Sequence, residues 1–356
     1  MAVSTISATG LASNVSQLGK NLIQNGAYNV AQRGASFAAH ADAYSLDRWL
    51  YSKDATAAAI TVTQDTDVPA GEGFGTSIKI DVTTADSSIA AGDLARFTQR
   101  IEAQNLVQLK YGASGAKTMT LSFWIKSTKI GTFSTFAFSE DGSRWFNASY
   151  TVDVTNTWEY KTVTIAGDTG GTINNDTGIG LIVGWTLIAG SNSVATADTW
   201  AGNADYAASS YSMLDSTSNN ILITGVQLEV GTVATDFEHE PISVTLQKCR
   251  RYLRHLLSTT NTPLLTGYAG STTAAYFPVQ FDPPMRAAPT FSVSAVGDFT
   301  VDMVGAARDT TGIVIAKATT YAARLDATVG SGLTAGQGVQ LAFDNSGKTL
   351  TFTAEL

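Results

Sequence analysis

Short runs in which apolar and polar residues alternate recur along most of this chain. The clearest sets Ile78, Ile80 and Val82 against Lys79 and Asp81. A period of two sends successive side chains to opposite faces, so each run predicts a strand with one buried face. Such runs cover Ala59–Gln64, Thr76–Thr83, Ala95–Ile101, Lys117–Lys126, Thr132–Ser139, Trp145–Val154, Glu159–Ile165, Ile179–Thr186 and Ile221–Glu229. Turn signals separate them: Pro69-Ala70-Gly71, Ala113-Ser114-Gly115, Glu140-Asp141-Gly142 and Gly167-Asp168-Thr169-Gly170. Many strands without intervening helical patterns point to a sandwich or barrel, not a βαβ fold.

Three segments depart from this rhythm. Residues 1–20 are small and polar, with scattered Val3, Ile6, Leu11, Val15 and Leu18, and read as an arm without its own core. Residues 189–219 are long and Ser/Asn/Ala-rich, and a loop of that length in a compact domain is usually functional. In residues 242–257, Ile242, Leu246, Cys249, Leu253 and Leu256 fall at steps of four and three, which predicts a linker helix packed on a neighbouring domain or on a trimer axis. Residues 258–356 return to strand texture at Tyr276–Phe281, Thr290–Ala295, Phe299–Val304, Gly312–Ala316, Gly338–Phe343 and Thr349–Thr353. The expected organisation is therefore all-β: an arm (1–20), a sandwich (21–241), a linker helix (242–257) and a second, smaller β-domain (258–356). No fixed-period repeat supports a β-helix.

Composition narrows the function classes. Hydrophobic residues make up 44% of the 356 and charged residues 15%, ample apolar material for a core and far from a disordered chain. The net charge of −8 is concentrated before residue 242, and an acidic body is a poor partner for nucleic acid. Cys249 is the single cysteine, so folding needs no oxidising compartment, as suits synthesis in a bacterial cytoplasm. The N-terminal residues lack a secretory-signal pattern, and no apolar run approaches the length of a membrane span.

Two segments carry a family likeness. Asn21-Leu22-Ile23-Gln24-Asn25-Gly26, then Gln32-Arg33-Gly34 and Asp47-Arg48-Trp49, resemble the opening of a module in phage tail-fibre and virion-associated proteins. Gly225-Val226-Gln227-Leu228-Glu229-Val230-Gly231, followed by Ala234-Thr235-Asp236-Phe237-Glu238, is similar to its closing strand. Cys249-Arg250-Arg251-Tyr252, Phe277-Pro278-Val279 and Met285-Arg286-Ala287-Ala288-Pro289-Thr290 extend the likeness, which departs from the pattern at His239-Glu240-Pro241. The resemblance implies a jelly roll similar to carbohydrate-binding modules within a trimeric virion appendage. The arm would attach to other virion proteins and the β-domains would contact host-surface polysaccharide. A head-decoration, fibre or adaptor protein that binds only virion proteins is the alternative, and a polysaccharide depolymerase a weaker one. By residue type alone, Gln227, Glu229 and Phe237 would pin a strand end and Asp47-Arg48 would form an internal ion pair beneath Trp49.

The residues offer little catalytic chemistry. His40, His239 and His255 are scattered and form no metal-type cluster, and no Gly-x-Ser-x-Gly elbow frames a serine. The carboxylate pairs Glu140-Asp141 and Glu238/Glu240 sit in turn-like contexts. No cofactor is expected, and no Asp-rich ligand series supports a structural calcium ion. Sugar binding needs only a flat aromatic face with hydrogen-bonding side chains beside it. Trp200, Asn203, Asp205, Tyr206 and Tyr211 share the long polar loop and form the expected glycan surface, with Trp145 second. The same aromatics would serve equally as loop anchors or subunit contacts. Trp124, Trp158 and Trp185 lie in or beside strands and are assigned to packing.

Overall fold

The computed structural model describes residues 19–258 and 263–356; residues 1–18 of the expected arm lie outside them. In chain order the first unit comprises β1 (Ser36–His40), β2 (Ala43–Tyr44), β3 (Trp49–Asp54), β4 (Ala59–Asp65), β5 (Ser77–Thr84), β6 (Leu94–Glu102), β7 (Met119–Ser127), β8 (Gly131–Ser139), β9 (Arg144–Val152), β10 (Glu159–Ile165), β11 (Ile179–Ala189), β12 (Tyr211–Ser212) and β13 (Asn220–Val230). One antiparallel sheet runs β1-β4-β5-β13-β7-β10, and the other β2-β3-β6-β11-β8-β9 with β12 on β11. We call them the front and back sheets. The chain crosses repeatedly between them, the wrapping of a jelly roll.

The alternating pattern explains the core. Ile78, Ile80 and Val82 of β5, and Leu121, Phe123 and Ile125 of β7, point inwards from the front sheet. From the back sheet Trp49, Phe97 and Trp185 meet them. Trp49 stacks on Phe97 at 5.4 Å between ring centroids, and Phe123 meets Trp185 edge-on at 5.1 Å, geometries that add to the gain from burial.

The linker departs from expectation. Helix α1 spans Ile242–Arg250 and ends there, and residues 253–257 form β14 (Leu253–Leu257). Leu253 is buried as the first residue of that strand, while Leu256 and Leu257 are exposed, so the last step of the helical spacing meets no apolar surface. Pairing of β14 with the last strand of the chain supplies backbone hydrogen bonds that override a weak local preference.

The remaining strands are β15 (Pro263–Ala269), β16 (Ala274–Gln280), β17 (Thr290–Val293), β18 (Phe299–Met303), β19 (Ala306–Ala318), β20 (Ala322–Val329), β21 (Gly338–Phe343) and β22 (Thr349–Thr353). Six close into a barrel, β15-β16-β20-β19-β18-β21, and β14-β22-β17 form a separate small sheet. Phe277, Phe299, Leu325, Leu341 and Phe343 pack in the barrel's own core.

Residues of the recognised segments meet where the two units join. Arg48 is buried with φ 73°. Its guanidinium lies 3.4 Å from the Tyr252 ring centroid, donates to the Arg100 carbonyl at 2.6 Å and pairs with Glu355. Glu355 also takes Arg33 at 3.0 Å. Arg251 forms a two-pronged pair with Glu102 at 2.7 and 2.8 Å. The expected Asp47–Arg48 pair is therefore not made: Asp47 accepts from the Gln32 backbone at 2.6 Å, and burial pushes its carboxyl pKa up. Removing one partner of a buried pair such as Arg48–Glu355 costs about 3–5 kcal/mol.

Candidate functional site

The long loop was the expected binding surface, and the structure folds it down at the back sheet, with Tyr206 over that sheet's outer face and Trp200 and Tyr211 packed against the sandwich core. Trp200 is 9% exposed, its Nε1–H donates to the Ala166 carbonyl at 2.6 Å, and its ring packs against Tyr111 and Phe146 at 5.6 and 5.5 Å. Tyr206 is 8% exposed and lies edge-on to Phe136 at 4.8 Å, with Arg96 donating to its hydroxyl at 3.0 Å. The Tyr211 hydroxyl accepts from Ser134 N and donates to Thr186 O, both at 2.8 Å. Asp205 is 0% exposed and accepts from the Asn147 side chain; burial raises its pKa to about 6. Trp145 stacks on its cross-strand neighbour Phe138 at 4.1 Å and is half-buried. Among the six expected residues only Asn203 is exposed. A sugar ring needs an accessible aromatic face, and Trp200 and Tyr206 offer none. This corrects the expected site: these side chains anchor the loop.

The carboxylate pairs are likewise committed. Asp141 accepts from Asn174 N and Nδ2, Glu238 is buried and accepts from Asn21 N at 2.9 Å, and Glu240 pairs with Lys248. Among the described residues no group of three or more His, Cys, Asp or Glu side chains is placed to hold a metal, and no helix is long and apolar enough to cross a membrane.

The outer face of the front sheet is different. Trp124 of β7 stands directly opposite Tyr160 of β10, with ring centroids 5.3 Å apart and planes tilted by 47°. Tyr160 is 44% exposed and Trp124 half-buried. Beside this pair Phe74, Phe237 and His239 form a second cluster, with centroids 4.9–5.2 Å apart. Together with Glu72, Ser122, Thr235 and Asp236 these residues line an open cleft of about 320 Å³. Trp124 is thus a surface residue and not a packing one; Trp185 is in the core, and half-buried Trp158 donates from Nε1 to Asp67 at 2.9 Å.

Local sequence builds the cleft. Leu121, Phe123 and Ile125 face inwards, so Ser122, Trp124 and Lys126 must face outwards. Gly225 sits at a bulge in the β13–β7 pairing with φ 61°, and a Cβ there would come within 2.5 Å of the Phe74 ring. A glycine is therefore what lets Phe74 lie across the strand. The far wall is the segment after β13. Glu229 accepts from Thr235 N at 2.8 Å and Oγ1 at 2.7 Å, while Gln227 donates to Glu229 at 2.9 Å and accepts from Glu238 N at 2.8 Å. Gln227 and Glu229 are buried and hold the turn, as expected, whereas half-buried Phe237 faces the cleft. Burial raises the Tyr160 pKa, a neighbouring Ser122 bond opposes that, and the Glu229, Asp236 and Glu72 carboxylates raise it further. A neutral phenol with an apolar ring and an O–H donor results.

The alternation in Leu121–Lys126 already placed Trp124 on the polar side of its strand. Tyr160 carried the same signal, between Glu159 and Lys161 and in register with Thr162 and Thr164. Phe74, Phe237 and His239 come together only through folding.

No protein-family model matches the chain, and no curated protein matches it. Among solved structures it is similar to the enzymatically active domain of tailspike protein 4 of bacteriophage CBA120, at 19% identity and a TM-score of 0.35, over 60% of this chain and 22% of that one. The chain thus spans less than a quarter of that tailspike. It is also similar to a family 4 carbohydrate-binding module (15% identity, TM-score 0.32, 59% of this chain and 99% of that one). A third likeness is to the family 11 carbohydrate-binding module of a Clostridium thermocellum cellulosomal cellulase (13% identity, TM-score 0.28, 56% and 95%). The chain's neighbours among solved structures thus include carbohydrate-binding modules and a phage tailspike domain.

Proposed function

We propose that this chain is a non-enzymatic, glycan-binding component of a tailed-phage virion, a tail fibre or its receptor-binding part, and that its glycan site is the front-sheet cleft. The observation that carries the reading is the accessible Trp124–Tyr160 pair, 5.3 Å between centroids, set in a cleft lined by hydrogen-bonding side chains. Aromatic faces take up the apolar side of a pyranose, and Asp236, Glu72, Thr235 and His239 offer partners for its hydroxyls. The cleft volume falls at the lower end of small-ligand sites, enough for one or two sugar units. In this reading the chain is part of a phage appendage, assembled as a homotrimer and attached through residues 1–20, as the resemblance of its opening and closing segments to virion proteins suggests.

The test is binding of the purified protein to host cells and to a glycan array, wild type beside Trp124→Ala and Trp200→Ala. Binding that falls with Trp124→Ala and survives Trp200→Ala in correctly folded protein supports the cleft. Binding indifferent to Trp124→Ala moves the site elsewhere. Absence of binding by the folded wild type favours the alternative, a protein that contacts only other virion components.

A further inference from the structure

The charge around the cleft allows its ligand class to be narrowed, on the premise that the cleft is the glycan site. Its acidic lining consists of Glu72 and Asp236, and among the described residues no Lys or Arg lines it. Both carboxylate residues are exposed, so their charge is available to a ligand. A third acid, Glu229, is buried just behind the wall and committed to Gln227 and Thr235. Two cations lie nearby, and the first is paired with a carboxylate while the second is bonded to neutral oxygens. Lys126, next but one to Trp124, pairs with Asp67 at 2.7 Å, and Lys20 donates to Thr235 Oγ1 at 2.5 Å and the Asp236 carbonyl at 2.6 Å. Burial is the main cause of the raised Tyr160 phenol pKa, and the Glu229, Asp236 and Glu72 carboxylates add to it.

We infer that the cleft selects neutral and amino-bearing glycans and discriminates against uronate- or sialate-type acidic ones, with Glu72 and Asp236 setting the preference. An ammonium on a sugar ring bound against Trp124 and Tyr160 would lie among carboxylates and at an aromatic face, both favourable to a cation. A sugar carboxylate would meet the like charge of Glu72 and Asp236, while the ammonium at the rim, Lys20, is held by Thr235 Oγ1 and the Asp236 carbonyl.

The experiment compares three β-1,4-linked oligomers of equal length, of N-acetylglucosamine, glucosamine and glucuronate, binding to the full chain at a pH that keeps the amine protonated. The glucosamine oligomer is expected to bind about three- to tenfold tighter than the neutral one and the uronate oligomer about as much weaker, the range that exposed charge pairs supply. The double variant Glu72→Gln/Asp236→Asn, near-isosteric changes at exposed positions, should abolish the amine preference, read as the ratio of glucosamine to N-acetylglucosamine affinity within the same variant. Added salt should shrink the preference in the wild type. Uronate binding equal to or tighter than neutral, or an amine preference that survives the double variant, overturns the inference and leaves the glycan-binding reading standing. Failure of all three oligomers to bind folded protein overturns both.

Discussion

The two outer faces of the jelly roll are built from similar residues and end in opposite states. The back sheet presents Phe136, Phe138, Trp145 and Ile182, and the loop between β11 and β13 returns over them with Tyr206 and its pinned backbone. The front sheet presents Trp124 and Tyr160, and nothing in the described chain returns over them. Aromatic content therefore does not distinguish a binding face from a structural one; coverage by the rest of the chain does. The back face uses its aromatics to hold a loop: Tyr206 meets Phe136 edge-on, and Trp145 stacks on Phe138. The front face keeps a pair whose flat surfaces remain available, flanked by exposed acids. The polar composition of residues 189–219 suggested exposure, yet Asp205 and Ser193 are buried there because their partners, Asn147 and the backbone of residues 206–207, come from the same folded layer.

Substitutions can break or sharpen this contrast. The largest effect belongs to the loop that covers the back face: Trp200→Ala, which removes its anchor in the sandwich core, should lower folding stability by about 3 kcal/mol, as for other buried Trp truncations, in a denaturant titration. Glycan binding by the remaining folded protein should be unchanged. Trp124→Ala should do the reverse, weakening glycan binding by about 2 kcal/mol, roughly thirtyfold, with a stability change under about 1 kcal/mol. If the two substitutions exchanged these phenotypes, the assignment of the faces would be inverted. Gly225→Ala joins both effects, because the added Cβ enters the Phe74 ring and the left-handed backbone is strained. It should cost about 1–2 kcal/mol of stability and measurably weaken binding by shifting Phe74.

A further effect is a pH dependence confined to the loop over the back face. Asp205 has a folded pKa of about 6, above its ordinary carboxylate value, so the folded state holds this proton more tightly than the unfolded chain does. Its stabilising contribution is complete below the unfolded value and is lost as pH rises through about 6, when a buried carboxylate would face only Asn147. Thermal melts of the wild type should show that loss, while Asp205→Asn should flatten the profile between about pH 4 and 7. Hydrogen exchange should report the loosening at residues 194–207 and none at the front sheet.

Much of the fold was legible because strand alternation is a local signal with a period of two. Ile78–Val82 and Leu121–Ile125 announced which side chains would be buried, and the same parity marked Trp124 as outward-facing. Assigning Trp124 to packing overlooked that parity, since a tryptophan in a strand is easily taken for core. The helix at 242–257 shows the opposite difficulty: an apolar spacing of four and three suits nine residues of helix, after which pairing of β14 with β22 governs. Strand β15 carries little alternation, whereas β20 alternates Ala323, Leu325, Ala327 and Val329 with Arg324, Asp326 and Thr328 and went unmarked because two of its inward residues are small alanines.

What the sequence by itself determined was the class of fold and the inward or outward sense of most strand residues, because both follow from side-chain direction along a single strand. What only the tertiary structure decided was which polar-sided aromatics stay accessible. That depends on where a distant loop comes to rest, and on contacts such as Trp200 with Ala166 or Arg48 with Glu355 that join residues 34 and 307 positions apart. Coverage is a property of the whole chain, and no local pattern encodes it.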